Sequence, residues 1–306
     1  NKSIITTLLR GRFGYQGVVC TDWGLITDAV MGDVVWPARA WGVEHLSPEE
    51  RVLKAIEAGV DQFGGESCPQ HVINLVRGGK LSEARVDESV RRLLKQKIEL
   101  GLFDNPYVDE AALPSILGNA ESQHLADLSQ QRSLTLLKNA NRTLPLNGKP
   151  RVYAEGISPE ALASFAQPAA FPAEADLAIL RVNTPWVPVE TKNPFALGFH
   201  HGDLDFKGVA LTHILDVCKA VPTVVVVYLD RPAVIPEIAQ AAVAVLGDYG
   251  ASDANVLKVL FGQAQPQGRL PFELPSSMQA VRDQMPDLPH DSKDPLYSFG
   301  FGLKYE

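Results

Sequence analysis

The sequence has little cysteine. Cys20, Cys68 and Cys218 are widely spaced and odd in number, which excludes a disulfide framework but leaves room for one bridge. No CxxC pair occurs, so a cysteine zinc site is not expected. Long apolar runs are also missing. The longest, Thr223 to Leu229, falls far short of the ~20 residues of a membrane span. Positive charge is not in excess: 28 Lys and Arg stand against 36 Asp and Glu, a net of -8. That balance argues against a broad nucleic-acid footprint, which needs clustered cations. It fits a neutral or cationic small ligand. There is no Walker-type phosphate loop and no HExxH. Phe299-Gly-Phe-Gly302 does not lie between a strand and a helix, so it is no dinucleotide fingerprint. Neither a cofactor nor a metal is expected. No initiator Met stands at Asn1, and Ile4 to Arg10 reads as the middle of a helix. The sequence is therefore expected to be a fragment or a processed chain, and the lack of a targeting segment carries no weight.

What is present suits a folded protein. The chain is 45% hydrophobic and 21% charged, and its 306 residues suggest about two domains. Gly17 to Thr21 is a short run rich in β-branched residues and reads as a buried strand. A long loop follows, and all four tryptophans (Trp23, Trp36, Trp41, Trp186) fall in expected loops. Ser47-Pro-Glu-Glu50 predicts a capped helix start, with Gly59 as its stop. Val60 to Phe63 reads as a second strand. Helices are expected over residues 70–77 and from Ser82 to Gly101. This βαβα order implies a parallel sheet. It provides about two of the eight units that a (β/α)8-type barrel of ~250 residues needs. Residues 111–150 read as a linker and entry to a second domain, with a helix near 121–131 and a strand near 133–138. From 151 to 306 a second α/β domain is expected. Its strands lie at 151–154, 176–182, 223–229 and 242–246, its helices at 209–220 and 255–261. Continuous runs such as Thr223 to Leu229 mark strands buried on both faces, so the sheet should be mainly parallel.

Asp22 is the first candidate for chemistry. It follows a strand directly, and in parallel α/β folds the loops after strand ends line the ligand site. A carboxylate there beside the Trp23 indole suits a sugar. The indole packs on the ring's apolar face, and the carboxylate meets developing positive charge. An Asp in this position serves equally well as the N-cap of a following helix. His200-His201 invites a metal reading, but adjacent residues rarely aim at one ion, so no metal site is assigned.

The segment Arg12-Phe-Gly-Tyr-Gln-Gly-Val-Val-Cys-Thr-Asp-Trp-Gly24 resembles the nucleophile segment of glycoside hydrolase family 3, with Thr21 where Ser is common and Tyr15 where Phe is common. The resemblance continues through Ala58 to Glu66, Arg85 to Arg92, Leu136-Leu-Lys-Asn139 with Leu144-Pro-Leu146, Gly268 to Phe272 and Phe299 to Leu303. It implies a catalytic barrel, of which residues 1–110 form the C-terminal part, followed by an α/β sandwich domain at 151–306. Asp22 would be the nucleophile at the end of the seventh barrel strand, and residues 60–63 the eighth strand. The implied function is that of a retaining, exo-acting, β-glucosidase-like enzyme. It would act on β-glucosides or short β-glucan oligosaccharides through a covalent glycosyl-aspartate. Such chemistry needs a second carboxyl group ~5–5.5 Å from the first. In the family it often comes from the second domain, and Glu190, in the proline-rich loop Asn183 to Thr191 with Trp186, is the candidate acid/base. Glu66 is the alternative, its other reading being a structural hydrogen-bond or ion-pair partner. Asp203 and Asp205 are weaker candidates. Trp23, Trp186, His200 and Glu66 are the expected sugar-binding residues. The resemblance also implies six further strands and sugar-gripping residues upstream, so this chain alone is expected to be inactive. A periplasmic or secreted location is expected by the same analogy. The competing readings are a non-catalytic carbohydrate-binding α/β module and a nucleotide-binding α/β protein, the latter without a phosphate loop.

Two barrel units leave open strand edges and an uncovered apolar face. Limited proteolysis of this chain is therefore expected to cut within residues 1–110 first and to leave a product starting near 115. Survival of the N-terminal third would overturn that expectation.

Overall fold

Two units, Asn1–Ala111 and Ala112–Glu306, divide the chain. The computed structural model describes residues 1–190 and 198–305.

The first unit opens with a wide, π-type helix over Ser3–Arg12, which ends with the Phe13 N–H bonded to the Leu8 carbonyl. Strand β1 (Cys20–Trp23) leads into a hairpin of β2 (Ala29–Met31) and β3 (Val34–Trp36), antiparallel about Gly32 at φ 61°. Helix α1 (Pro48–Glu57) follows, and the Ser47 and Glu50 side chains cap it reciprocally, as the motif predicts. Strand β4 (Gln62–Gly64) pairs with β1 in parallel, Cys20 opposite Gln62 and Trp23 opposite Gly64. Helices α2 (Pro69–Arg77) and α3 (Glu83–Glu99) complete the unit. Ile26, Val52, Ile56, Cys68, Leu75 and Leu81 form its core.

Two expectations need correction. The first strand lies at 20–23 rather than 17–21, so Asp22 is in the strand and not after it. The cause is Asp61. The Val19 N–H bonds its side chain at 3.0 Å, while the Val19 carbonyl accepts from Asp61 and Gln62, so the ladder begins one residue on. The tryptophans are not all in loops either. Trp23 ends β1 and Trp36 ends β3, because Gly32-Asp33 turns the long segment into a hairpin.

Asp61 is fully buried and takes four polar donors. Its Oδ2 accepts from Arg10 Nη2 (2.6 Å) and Val19 N, and its Oδ1 from Ser89 Oγ (2.7 Å) and Arg92 Nη1 (2.8 Å). The N-terminal helix, the approach to β1, and α3 thus converge on one carboxylate.

The second unit begins with α4 (Leu113–Ile116), α5 (Ala120–Ser133) and β5 (Thr135–Asn139), all inside the segment expected as linker and entry. Strands β6 (Arg151–Glu155), β7 (Gln167–Pro168), β8 (Leu177–Asn183), β9 (Thr223–Tyr228) and β10 (Ala244–Asp248) complete a six-stranded sheet in the order β5-β10-β9-β8-β6-β7. All its neighbours pair in parallel except edge strand β5. The chain is therefore α/β with a mainly parallel central sheet.

Helices α6 (Pro159–Ala163) and α9 (Asp253–Leu260) cover one face, and α7 (Gly208–Ala220) and α8 (Pro236–Ala241) the other; α10 (Met278–Arg282) lies near the end. Val224 and Val226 enter the core under α6 and α9, Val225 and Val227 the core under α7 and α8. That alternation explains the unbroken apolar run. All three cysteines are free, so no bridge forms.

Burial pushes the Asp61 carboxyl up, but its hydrogen bonds from Val19, Ser89 and Arg92 and the Arg10 charge outweigh this and hold it below the usual carboxylate range. Its contribution to stability is thus complete above the unfolded-state value and is lost as pH falls through the lower folded value. Asp61→Asn leaves two arginines facing a neutral group and should cost about 3–5 kcal/mol at neutral pH. Urea unfolding followed by tryptophan fluorescence checks this. The gap to wild type should start to close below pH ~3.9; a gap constant with pH would contradict the assignment.

Candidate active site

The end of β1 carries an exposed carboxylate beside an exposed indole. The Asp22 side chain is 68% exposed and Trp23 70%. The glycines Gly64-Gly65 make room for this indole. A Cβ on Gly65, which has φ 64°, would sit 2.6 Å from the Trp23 ring, and one on Gly64 2.4 Å from the Thr21 carbonyl oxygen. The Thr21 hydroxyl accepts the Gly64 N–H at 2.9 Å and so ties β1 to β4 beside Asp22.

Asp22 is held from two sides. Its Oδ1 accepts the Trp23 N–H at 2.7 Å, and its Oδ2 lies 3.1 Å from Arg39 Nη1. Arg39 also donates from Nε and Nη2 to the Trp23 carbonyl. Sequence reasoning missed Arg39, which is 17 residues downstream of Asp22 with no motif to mark it.

Glu66 takes the hydrogen-bonding role that the sequence left open beside sugar binding. Its Oε1 accepts from Ile26 N (3.1 Å), Thr27 N (2.7 Å) and Thr27 Oγ1 (3.0 Å), and its Oε2 from Leu25 N (3.0 Å) and Ile26 N (3.2 Å). The carboxylate fixes the segment that leaves β1.

In the second unit, the loops after β8 and β9 bring other candidates together. The Trp186 and His200 rings stack at 4.3 Å and 11°. His200 Nδ1 lies 2.5 Å from Asp230 Oδ2, a partner that the sequence did not reveal. The Val187 N–H bonds the His201 carbonyl, and Arg231 reaches the Pro185 and Gly202 carbonyls. Glu190 is exposed in the same loop, whose last quoted residue, Thr191, lies outside the described residues. Asp203 and Asp205 both pair with Lys207, at 2.6 and 3.0 Å. The Lys207 hydrogen bond and the Arg282 charge hold Asp203 below the usual carboxylate range, which suits an ion pair better than a proton donor. Among the described residues, no group of three His, Cys, Asp or Glu is placed to hold a metal ion, and no helix is long and apolar enough to cross a membrane.

Two family models match this chain: the glycosyl hydrolase family 3 N terminal domain over residues 1–96 and the glycosyl hydrolase family 3 C-terminal domain over residues 153–305. The chain belongs to glycoside hydrolase family 3. Beta-glucosidase C of Emericella nidulans is 46% identical over all of this chain and 50% of its own length. The periplasmic beta-glucosidase/beta-xylosidase of Dickeya chrysanthemi is 42% identical over all of this chain and 48% of its own. The chain thus spans about half the length of the curated relatives it matches. A crystal structure of the beta-glucosidase from Listeria innocua in complex with isofagomine superposes with a TM-score of 0.78. It covers all of this chain and 50% of that one at 23% identity, a likeness of fold.

Within this family 3 chain, the loop anchored by Glu66 offers a direct check. Glu66→Gln keeps one acceptor oxygen and sets an amide NH2 against backbone donors. Amide exchange at Leu25, Ile26 and Thr27 should quicken roughly tenfold or more, while the β1–β4 pair keeps its protection. Unchanged exchange at these three amides would remove Glu66 as the anchor.

Proposed function

We propose that this chain carries the nucleophile-bearing part of a retaining, exo-acting β-glycosidase that releases terminal β-linked glucose from β-glucosides or short β-glucan oligosaccharides. In this reading β1 and β4 are the last two strands of a (β/α)8-type barrel, residues 1–110 its C-terminal part and 151–306 an α/β sandwich domain. The observation that carries it is the exposed Asp22 carboxylate at the end of a parallel strand, held by one backbone N–H and an ion pair and flanked by an exposed indole. The names of the relatives, beta-glucosidases and a beta-glucosidase/beta-xylosidase, support the substrate class.

Asp22 attacks the anomeric carbon as the bond to the leaving oxygen breaks, giving a glycosyl-aspartate ester. The acid/base, for which we propose Glu190, protonates that oxygen and then takes a proton from water. The water attacks the same carbon and frees Asp22. Trp23 and Trp186 offer apolar ring faces to the sugar. His200, held by Asp230, has a fixed orientation from which to contact sugar hydroxyls.

Hydrolysis of aryl β-glucoside, β-xyloside and β-N-acetylglucosaminide tests the reading. The assay compares these 306 residues with the chain extended upstream to the length of its curated relatives. The extended protein should turn over the aryl β-glucoside and the 306 residues none of the three. Asp22→Asn in the extended protein should lose on the order of 10³-fold or more. Sugar binding without turnover by the extended protein would overturn the proposal in favour of a non-catalytic carbohydrate-binding module.

A further inference from the structure

The segment between Gly24 and Arg39 leaves the site and comes back to it. Glu66 pins its start at residues 25–27. The hairpin β2–β3 turns it around. The Asp28 side chain accepts the Ala38 N–H at 2.8 Å, and the Arg39 N–H bonds the Gly24 carbonyl at 2.7 Å. The excursion therefore closes on itself at the residue that touches Asp22.

We infer that Arg39 is a positioning residue for the nucleophile, an inference that rests on the reading of Asp22 given above. The guanidinium is planar, and its donors point in fixed directions. Here Nε and Nη2 donate to the Trp23 carbonyl, and that fixes Nη1 3.1 Å from Asp22 Oδ2 as an ion-pair partner. Because the Trp23 carbonyl belongs to the backbone, this arrangement holds a positive charge against Asp22 Oδ2 at a place set by strand β1. The second tie, from the Trp23 N–H to Oδ1, is local to the same peptide. Oδ1 thus has one donor, Oδ2 has the guanidinium charge beside it, and both retain lone-pair capacity for attack on carbon. An ammonium group is a point donor and does not reproduce the fork, so lysine is a poor substitute. Arg39 touches neither the sugar nor the leaving group in this scheme. It acts through Asp22.

Orientation of the nucleophile is separable from folding of the loop and from sugar binding. Arg39 is 43% exposed, and its main-chain bond to Gly24 persists in any non-proline variant, so Arg39→Ala should fold. In the extended protein, Arg39→Ala should lower kcat/KM for an aryl β-glucoside by about 10²-fold, the scale of a misplaced reacting group. Inhibition by glucose and the thermal midpoint should stay at wild-type values. Guanidinium ion at millimolar concentration should restore part of the lost rate to Arg39→Ala and none to wild type. Arg39→Lys should stay well below wild type. Wild-type kcat/KM in Arg39→Ala, with Asp22→Asn inactive, would overturn the role of Arg39 and leave the nucleophile assignment intact. A loss matched by weaker glucose inhibition or a lowered midpoint, without guanidinium rescue, would also overturn it, because Arg39 would then be a loop anchor only. An active Asp22→Asn would remove the assignment itself, and the inference with it.

Discussion

A single buried carboxylate organises the first unit. Strand β1 is four residues long and pairs with one neighbour across an irregular register. Two-stranded sheets of this size are marginal by themselves. Asp61 supplies what the ladder lacks. It sits next to β4, takes the N–H just before β1 and two donors from α3, and receives Arg10 from the N-terminal helix. Arg85 extends the knot, bonding Ser89 and the carbonyls of Ile56 and Val60 where α1 ends. Burying a carboxylate costs several kcal/mol, and only a full set of well-aligned partners offsets it. The approach to Asp22 is therefore fixed by polar geometry more than by apolar packing.

The second unit repeats the device. Arg181 interrupts the apolar run of β8, and its guanidinium forks onto Asp248 of β10 with a further arm to Asp253 at the start of α9. Asp248 is fully buried, and its other oxygen accepts the Gly250 and Ala251 N–H groups. Thr184, just after β8, bonds the Tyr228 carbonyl at the end of β9. The ends of β8, β9 and β10 are thus locked where the loop bearing Trp186 and His200 departs. A loop that carries candidate binding residues needs such a rigid base.

Apolar periodicity made β8, β9 and β10 legible, because strands buried on both faces admit few polar residues. The capping box at Ser47 and Glu50 was legible for a similar reason: both partners lie within four residues. What escaped the sequence depends on distant pairs. The ladder of β1 starts late because a side chain 42 residues away claims the Val19 N–H. Arg39, Asp230 and the Arg181–Asp248 pair are joined only by folding, and no local pattern announces any of them. The hairpin at Gly32-Asp33 has a readable turn, but its strands are only three residues each, too short for an alternating pattern to mark them.

Asp61, Glu66 and Asp22, three carboxylates of the first unit, differ in how much hydrogen-bonding capacity each has left. Asp61 accepts four donors in a site closed to solvent. Glu66 accepts five contacts from the turn it anchors, which uses the roughly four lone-pair sites that a carboxylate offers. A carboxylate so occupied has little hydrogen-bonding capacity left over. Asp22 accepts one backbone N–H, has the Arg39 guanidinium beside its other oxygen as an ion pair, and faces solvent beside an indole. It is oriented and still has lone pairs to give. Orientation with unspent capacity is what a nucleophile requires. On that ground, and not on exposure alone, Asp22 is the carboxylate of this unit to which the proposed chemistry is assigned.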